Sequence, residues 1–208
     1  MNMQKSFIYQ FNNDLNELNF FVNKTNLNAF DGLITYNHQL LFLYGPKKSG
    51  KSFLGQIWKK KNKAILFENN IDFIINNNSN VLIDDFMSYD EETIFHIVNN
   101  CILNNLKILV ISENRIGDIN FKFKDLSSRL KIFSNFVINH PNDEMLLTIL
   151  TKLLIDKQFI INTKDIFEYI LRRVDRSYEG INEIVNKLDI LSLEKKRQLT
   201  IPLIKEIL

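Results

Sequence analysis

Residues 39–53 read QLLFLYGPKKSGKSF, and the fold turns on how this stretch is read. Leu40 to Tyr44 is a short apolar run of buried-strand type. It stops at Gly45, where the chain matches G-x-x-x-x-G-K-[ST] through Gly45, Gly50, Lys51 and Ser52. The spacing has a chemical reason. Glycines let backbone N–H groups close around phosphate oxygens, and the N-terminus of a following helix adds partial positive charge. The loop of Gly45, Pro46, Lys47, Lys48, Ser49 and Gly50, with Lys51, Ser52 and Phe53 behind it, is the candidate phosphate cradle. Lys51 is expected to reach the outer phosphates, and the Ser52 hydroxyl to hold Mg²⁺. Phe53 to Lys60 then reads as the helix, with Phe53, Leu54, Ile57 and Trp58 on one face. Of the six glycines in the chain, Gly45, Gly50 and Gly55 all fall here. A glycine-rich turn without a ligand is the alternative, but it does not explain the strand before and the helix after.

Working outward, Asn26 to Tyr36 reads as a helix, with Leu27, Phe30, Leu33 and Ile34 at helical spacing. Ala64 to Phe67 is a short strand and Ile71 to Ile75 a short helix. Val81-Leu82-Ile83-Asp84-Asp85 is an apolar strand ending in two acids. After a P-loop this is a Walker B pattern, in which Asp84 holds Mg²⁺ through water and Asp85 orients the attacking water. Asp90 to Asn105 is a long helix opening on acids, as the helix dipole favours. Leu106 to Ser112 is the next strand, followed by Glu113 and Asn114. Asp125 to Leu130 reads as a helical turn and Phe133 to Asn139 as the last strand. Alternating strands and helices predict a mainly parallel α/β sheet with ligands at the strand C-termini. From Asn142 no further strand appears. Asn142, Thr163, Ser177 and Thr200 each open a helix, the last with Pro202 near its start. The expected organisation is an arm at 1–15, an α/β core at 16–140 and a small all-helical lid at 141–208.

Composition narrows the classes. Apolar residues make up 45% and charged residues 24%, as in ordinary soluble proteins. A net charge of +2 lacks the basic stripe that stand-alone duplex binding requires. Lys59, Lys60, Lys61 and Lys63 cluster as a helix C-terminus complementing its dipole, with a nucleic-acid patch as the alternative. The single cysteine, Cys101, sits in an apolar helical pattern and reads as a buried reduced thiol, which points to a reducing, cytoplasmic compartment. His38, His96 and His140 match no metal spacing. No run reaches the roughly 18 apolar residues of a membrane span, and no signal-peptide pattern opens the chain.

P-loop, paired acids, an S-R-L turn and a four-helix lid, in this order and length, resemble the AAA+ core of the DnaA initiator family. The nearer resemblance is to its shorter Hda branch, the regulatory inactivators of DnaA, in the alphaproteobacterial HdaA-like form. The likeness runs from Leu18 to Leu208. Its pieces are FFVNKTNLNAF (20–30), LFLYGPKKSGKSFLGQIW (41–58), DLSSRL (125–130) and LTIPLIKEIL (199–208). The chain ends at the lid, so the initiator's C-terminal helix-turn-helix domain is expected to be absent. The resemblance implies a P-loop AAA+ core with a parallel five-stranded sheet of order 5-1-4-3-2. It places ADP or ATP, with Mg²⁺, between core and lid.

By the same resemblance, Glu113 takes the sensor 1 position, where Asp is more usual. Arg129 stands where the family carries an arginine finger, a surface ion pair being the competing reading. The lid's sensor 2 arginine falls near residue 179, where this chain has Glu179. Arg176 is the nearest substitute, with Arg172 or Arg173 behind it, and the chain's own ATPase is expected to be weak. In the arm, Gln4, Phe7 and Ile8 occupy the place of a peptide that binds the DNA polymerase III sliding clamp; a plain tail is the alternative. The implied function is an adaptor that stimulates hydrolysis of DnaA-bound ATP on clamp-loaded DNA and so negatively regulates replication initiation. It would touch DNA only indirectly and no membrane, and a homodimer stays open. The competing readings are an autonomous helicase- or clamp-loader-type ATPase and a DNA-tethering module.

Overall fold

An apolar run that alternates two buried faces needs cover on both, and the chain supplies it from helices on either side. The computed structural model describes residues 20–161 and 165–208. In it β1 (Leu40–Tyr44) lies parallel between β4 (Ile108–Ser112) and β5 (Ser134–Val137). β3 (Val81–Ile83) and the short β2 (Ile65–Leu66) complete a parallel sheet of order β2-β3-β4-β1-β5. This is the expected 5-1-4-3-2 order seen from its other edge.

The two faces follow the period of a strand. Leu41, Leu43, Leu109 and Ile111 pack with Leu54, Ile57 and Trp58 of α2 (Lys51–Asn62). Phe42, Ile108 and Val110 meet Ile94, Ile97, Val98 and Cys101 of α4 (Glu91–Leu103). A parallel sheet buried on both faces is the arrangement that βαβ crossovers impose. Asp90 caps α4 by accepting from the Thr93 N–H at 2.9 Å, which holds its carboxyl below the usual range. Glu91 accepts from the Lys122 and Phe123 N–H groups at 3.2 and 2.7 Å, and so ties α4 to the loop before α5 (Lys124–Leu130). α3 (Ile71–Asn77) is capped by Asn70 and buries only Ile74.

The structure departs from expectation at residues 26–36. A single turn, α1 (Leu27–Phe30), runs into a π-helical turn, Asp31–Thr35. Leu27 is 45% exposed, while Ala29, Leu33 and Ile34 are buried. The wider turn matches a close approach: a Cβ on Gly32 would lie 2.0 Å from the Phe136 ring. β2, β4 and β5 are shorter than the spans expected for them, and some flanking residues bond outside the sheet: the Ala64 N–H donates to the Lys59 carbonyl and the Asn139 N–H to the Thr25 carbonyl, each at 2.9 Å.

After β5 the lid begins at α6 (Asp143–Asp156), capped by the Asn142 side chain on the Met145 N–H at 2.9 Å. α7 (Asp165–Leu171), α8 (Tyr178–Lys195) and α9 (Ile201–Ile204) follow. Leu146, Leu150 and Leu154 of α6 meet Ile181, Ile184, Val185 and Leu188 of α8 in a separate apolar cluster. Ser177 and Thr200 stand at the starts of α8 and α9 as expected. The expected cap Thr163 and the arm with Gln4, Phe7 and Ile8 lie outside the described residues.

The contacts between lid and core include two joints. Met145 and Tyr178 belong to the α2-side core cluster, and the Tyr178 hydroxyl donates to the Asn139 carbonyl at 3.2 Å. Asn23 of the core donates to Asn142 Oδ1 at 3.1 Å and to Glu144 Oε2 at 3.4 Å. Among the described residues no helix is long and apolar enough to cross a membrane.

Burial inside the α4 face pushes the Cys101 thiol up to about 12. The thiolate is the reactive species, so the native chain should resist iodoacetamide at pH 8 and be alkylated only on unfolding. Mass spectrometry after brief labelling, with and without denaturant, checks this; stoichiometric native labelling would show the α4 packing to be wrong.

Candidate functional site

The turn after β1 is possible only for glycine at its two ends. Gly45 has φ +154°, and a Cβ there would lie 2.4 Å from the Ile138 carbonyl oxygen. Gly50, at φ +91°, is the N-cap of α2. Between them Lys48 takes a left-handed φ of +58°, a conformation that a side chain adopts at a penalty. α2 starts at Lys51, so its unpaired first-turn N–H groups and its dipole lie at the loop.

A cleft of about 640 Å³ opens there, lined by Lys47, Lys48, Ser49, Gly50, Lys51 and Ser52. The end of β3 adds Asp84 and Asp85, the end of β4 adds Ile111, Ser112 and Glu113, and α8 adds Glu179. The C-terminal ends of three adjacent parallel strands thus converge on one cavity, where ligands of open α/β sheets sit. Lys51 is buried and donates to the Gly45 and Pro46 carbonyls at 2.8 and 2.7 Å. Burial lowers its ammonium pKa; Glu113, Asp84 and Asp85 pull in the opposite direction. Asp85 is exposed in the left-handed region at φ +49°, with the Ser88 hydroxyl donating to its carbonyl at 2.7 Å. Glu113 stands 4.0 Å from Lys47 across the cleft mouth. Ser112 is buried and its hydroxyl accepts from the Asn114 N–H at 3.0 Å.

Among the described residues no group of three or more His, Cys, Asp or Glu is placed to hold a metal ion by itself. Ser52 and Asp84 do share the cleft, and two hard oxygen donors are what Mg²⁺ needs when phosphate and water complete its shell.

The other expected site residues lie elsewhere. Gly45 and Pro46 contribute carbonyls to Lys51 rather than lining. The Phe53 ring stacks on Phe20 at 6.2 Å, with Lys152 above it at 5.7 Å. Arg176, the expected lid substitute, pairs with Asp143, and it is not among the residues lining the cleft. Arg172 pairs with Glu168 at 3.1 Å, and Arg173 covers the Tyr169 ring at 3.7 Å. Arg129 lies on α5, exposed and without an ion-pair partner among the described residues, so the competing surface pair is not seen. Reading for motifs missed Phe20. Its ring lies 3.1 Å from where a Gly50 Cβ would sit and stacks between Phe30 and Phe53. The only signal was its place in the FFVNKTN run.

Residues 143–208 match the family model described as "Hda, lid domain". The chain is 26% identical to the chromosomal replication initiator protein DnaA of Buchnera aphidicola subsp. Cinara cedri, over 81% of this chain and 45% of that protein. It thus spans about half the length of the curated relatives it matches. Domain III of the Thermotoga maritima replication initiation protein DnaA shares the fold at TM-score 0.78 and 17% identity, covering 95% of this chain and 96% of that one. AMPPCP-bound DnaA from Aquifex aeolicus shares it at TM-score 0.65 and 18% identity, covering 87% of this chain and 68% of that one. The chain is related to the DnaA and Hda AAA+ proteins.

One cleft atom is costly as it stands. The Ser49 hydroxyl is buried and has no hydrogen-bond partner among the described residues. Leaving such a group unpaired costs about 1–3 kcal/mol, so Ser49→Ala should raise stability by roughly 1 kcal/mol. Thermal melts of the two proteins check this, and a lowered midpoint would show that the hydroxyl has a partner.

Proposed function

We propose that this DnaA-related AAA+ chain is an Hda-type adaptor: it binds a nucleotide of its own and acts on the nucleotide of a partner. One observation carries the reading. Arg129 projects from the core outside the chain's own cleft, exposed and unpaired among the described residues, on a chain whose lid matches the Hda lid domain. A guanidinium left free on the surface is available to a neighbouring molecule.

In this reading the P-loop, Lys51 and Ser52 hold ADP or ATP, with Mg²⁺ shared between Ser52 and Asp84. The bound nucleotide keeps lid and core at the angle that presents Arg129. Docked through Gln4, Phe7 and Ile8 on the DNA-loaded sliding clamp, the protein offers Arg129 to ATP bound by DnaA. Water attacks the γ-phosphorus, the bond to ADP breaks, and the planar cation stabilises charge on the transferred phosphoryl oxygens. An arginine supplied in trans is worth roughly 10³ to 10⁵ in rate in other nucleotide hydrolases. DnaA-ADP results, and re-initiation is held back.

A motor that spends its own ATP is the second reading, favoured by Asp84 and Asp85 at one cleft. Phosphate release from preloaded DnaA-ATP, with clamp-loaded DNA, separates the two. Arg129→Ala should abolish stimulation while folding and ADP binding persist. Arg129→Lys should fail almost as badly, because a point charge does not reproduce the planar fork. Asp85→Ala should matter far less. Stimulation that survives in Arg129→Ala and vanishes in Asp85→Ala would overturn the adaptor in favour of the motor.

Two further variants test the remaining parts. Lys51→Ala should weaken ADP and ATP binding strongly in calorimetry, and unchanged affinity would sink the P-loop assignment. Gln4→Ala with Phe7→Ala should remove binding to immobilised clamp at unchanged thermal midpoint. Wild-type clamp binding by that double variant would place any clamp contact elsewhere.

A further inference from the structure

Among the described residues the lid contributes one side chain to the cleft, and it is a carboxylate, Glu179. Three lysines and four carboxylates line the cavity. Asp84 has a use for its charge if Mg²⁺ is shared with Ser52, Asp85 stands at the turn beside it, and Glu113 faces Lys47. Glu179 is exposed and has no ion-pair partner among the described residues. It lies in the first turn of α8.

Its backbone is held on both sides. Tyr178 is 1% exposed and anchored on the Asn139 carbonyl. Gly180 donates its N–H to the capping Ser177 hydroxyl at 2.9 Å, and a Cβ on it would lie 2.5 Å from the Asp175 carbonyl oxygen. The carboxylate therefore enters the cleft from a fixed point. No lid arginine offsets it: Arg172, Arg173, Arg176 and Arg197 are engaged by Glu168, Tyr169, Asp143 and Glu206.

We infer that Glu179 is a specificity-determining residue that makes the cleft retain a nucleoside diphosphate and disfavour the triphosphate. The inference rests on the proposed nucleotide reading of the cleft. A third phosphate brings added negative charge toward a lid that answers with negative charge. At separations of several ångströms and an effective dielectric near 20, one such unfavourable pair is worth about tenfold in affinity.

Isothermal calorimetry on the full chain with Mg²⁺ tests it, using ADP and AMPPCP as probes. The wild type should bind ADP more tightly than AMPPCP. Glu179→Gln should tighten AMPPCP about tenfold with ADP changed much less, and Glu179→Arg should tighten it further. Glu183→Gln removes the same charge from the same helix outside the cleft lining, and should keep the wild-type ratio. Glu179 is exposed, so thermal midpoints should stay close to wild type in each variant. Equal binding of the two probes by the wild type, or a ratio unmoved by both Glu179 variants, overturns the inference while the nucleotide site stands. Failure of the wild type to bind either probe overturns both the site and the inference.

Discussion

The Ile138 carbonyl oxygen stands 2.4 Å from where a side chain on Gly45 would begin, so only bare backbone can pass. This contact joins the end of β1 to the residue after β5, and both consequences are large. On one side the chain is forced into a turn that delivers Lys51 to the start of α2. On the other, β5 is held in place just before the chain leaves the core for the lid. The cleft and the lid's point of departure are thus fixed by one close approach. A fully buried β1 makes the approach rigid, because Leu41, Phe42 and Leu43 have no exposed surface to yield.

The lid then takes its orientation from few contacts. Tyr178 is buried against the core, while the next residue, Glu179, lines the cleft. Adjacent positions on one helix turn therefore serve packing and chemistry. Asn23 adds a polar link, using Nδ2 toward Asn142 and Glu144 and Oδ1 toward the Thr25 N–H and hydroxyl. Three residues before Asn23, Phe20 covers Gly50. One short segment thus touches both the glycine loop and the cap of the first lid helix.

Much of this was legible in the residues. Apolar continuity in Leu40–Tyr44 and in Ile108–Ile111 specifies two-faced burial, and the loop motif locates the cleft. The acids ending β3 were expected at that cleft, and they line it. Other features were hidden for physical reasons. Periodicity cannot distinguish an α-turn from a π-turn, so one helix was expected where an α-turn with Leu27 exposed runs into a π-turn at Asp31–Thr35. An arginine near a site looks available until its partner is known, and Asp143 in the first turn of α6 pairs with Arg176 in the loop before α8. Phe20 belongs to no local period, since its partners Phe30 and Phe53 come from separate elements.

The six arginines divide in a way that bears on mechanism. The four in the lid are occupied by neighbours of their own domain. The two in the core, Arg115 and Arg129, are exposed and unpaired among the described residues. A hydrolase acting on its own nucleotide gains most from a cation inside its cleft, where water is excluded and the field is strong. Here the cleft has lysines at the loop and carboxylates opposite, an arrangement suited to holding phosphate more than to stabilising the charge of a departing phosphoryl group. Free guanidinium groups outside the cleft instead suit a nucleotide belonging to another molecule. On the proposed reading, the weakness of the chain's own site and the exposure of Arg129 are one design: a nucleotide that stays bound keeps the lid set, and the cation acts elsewhere.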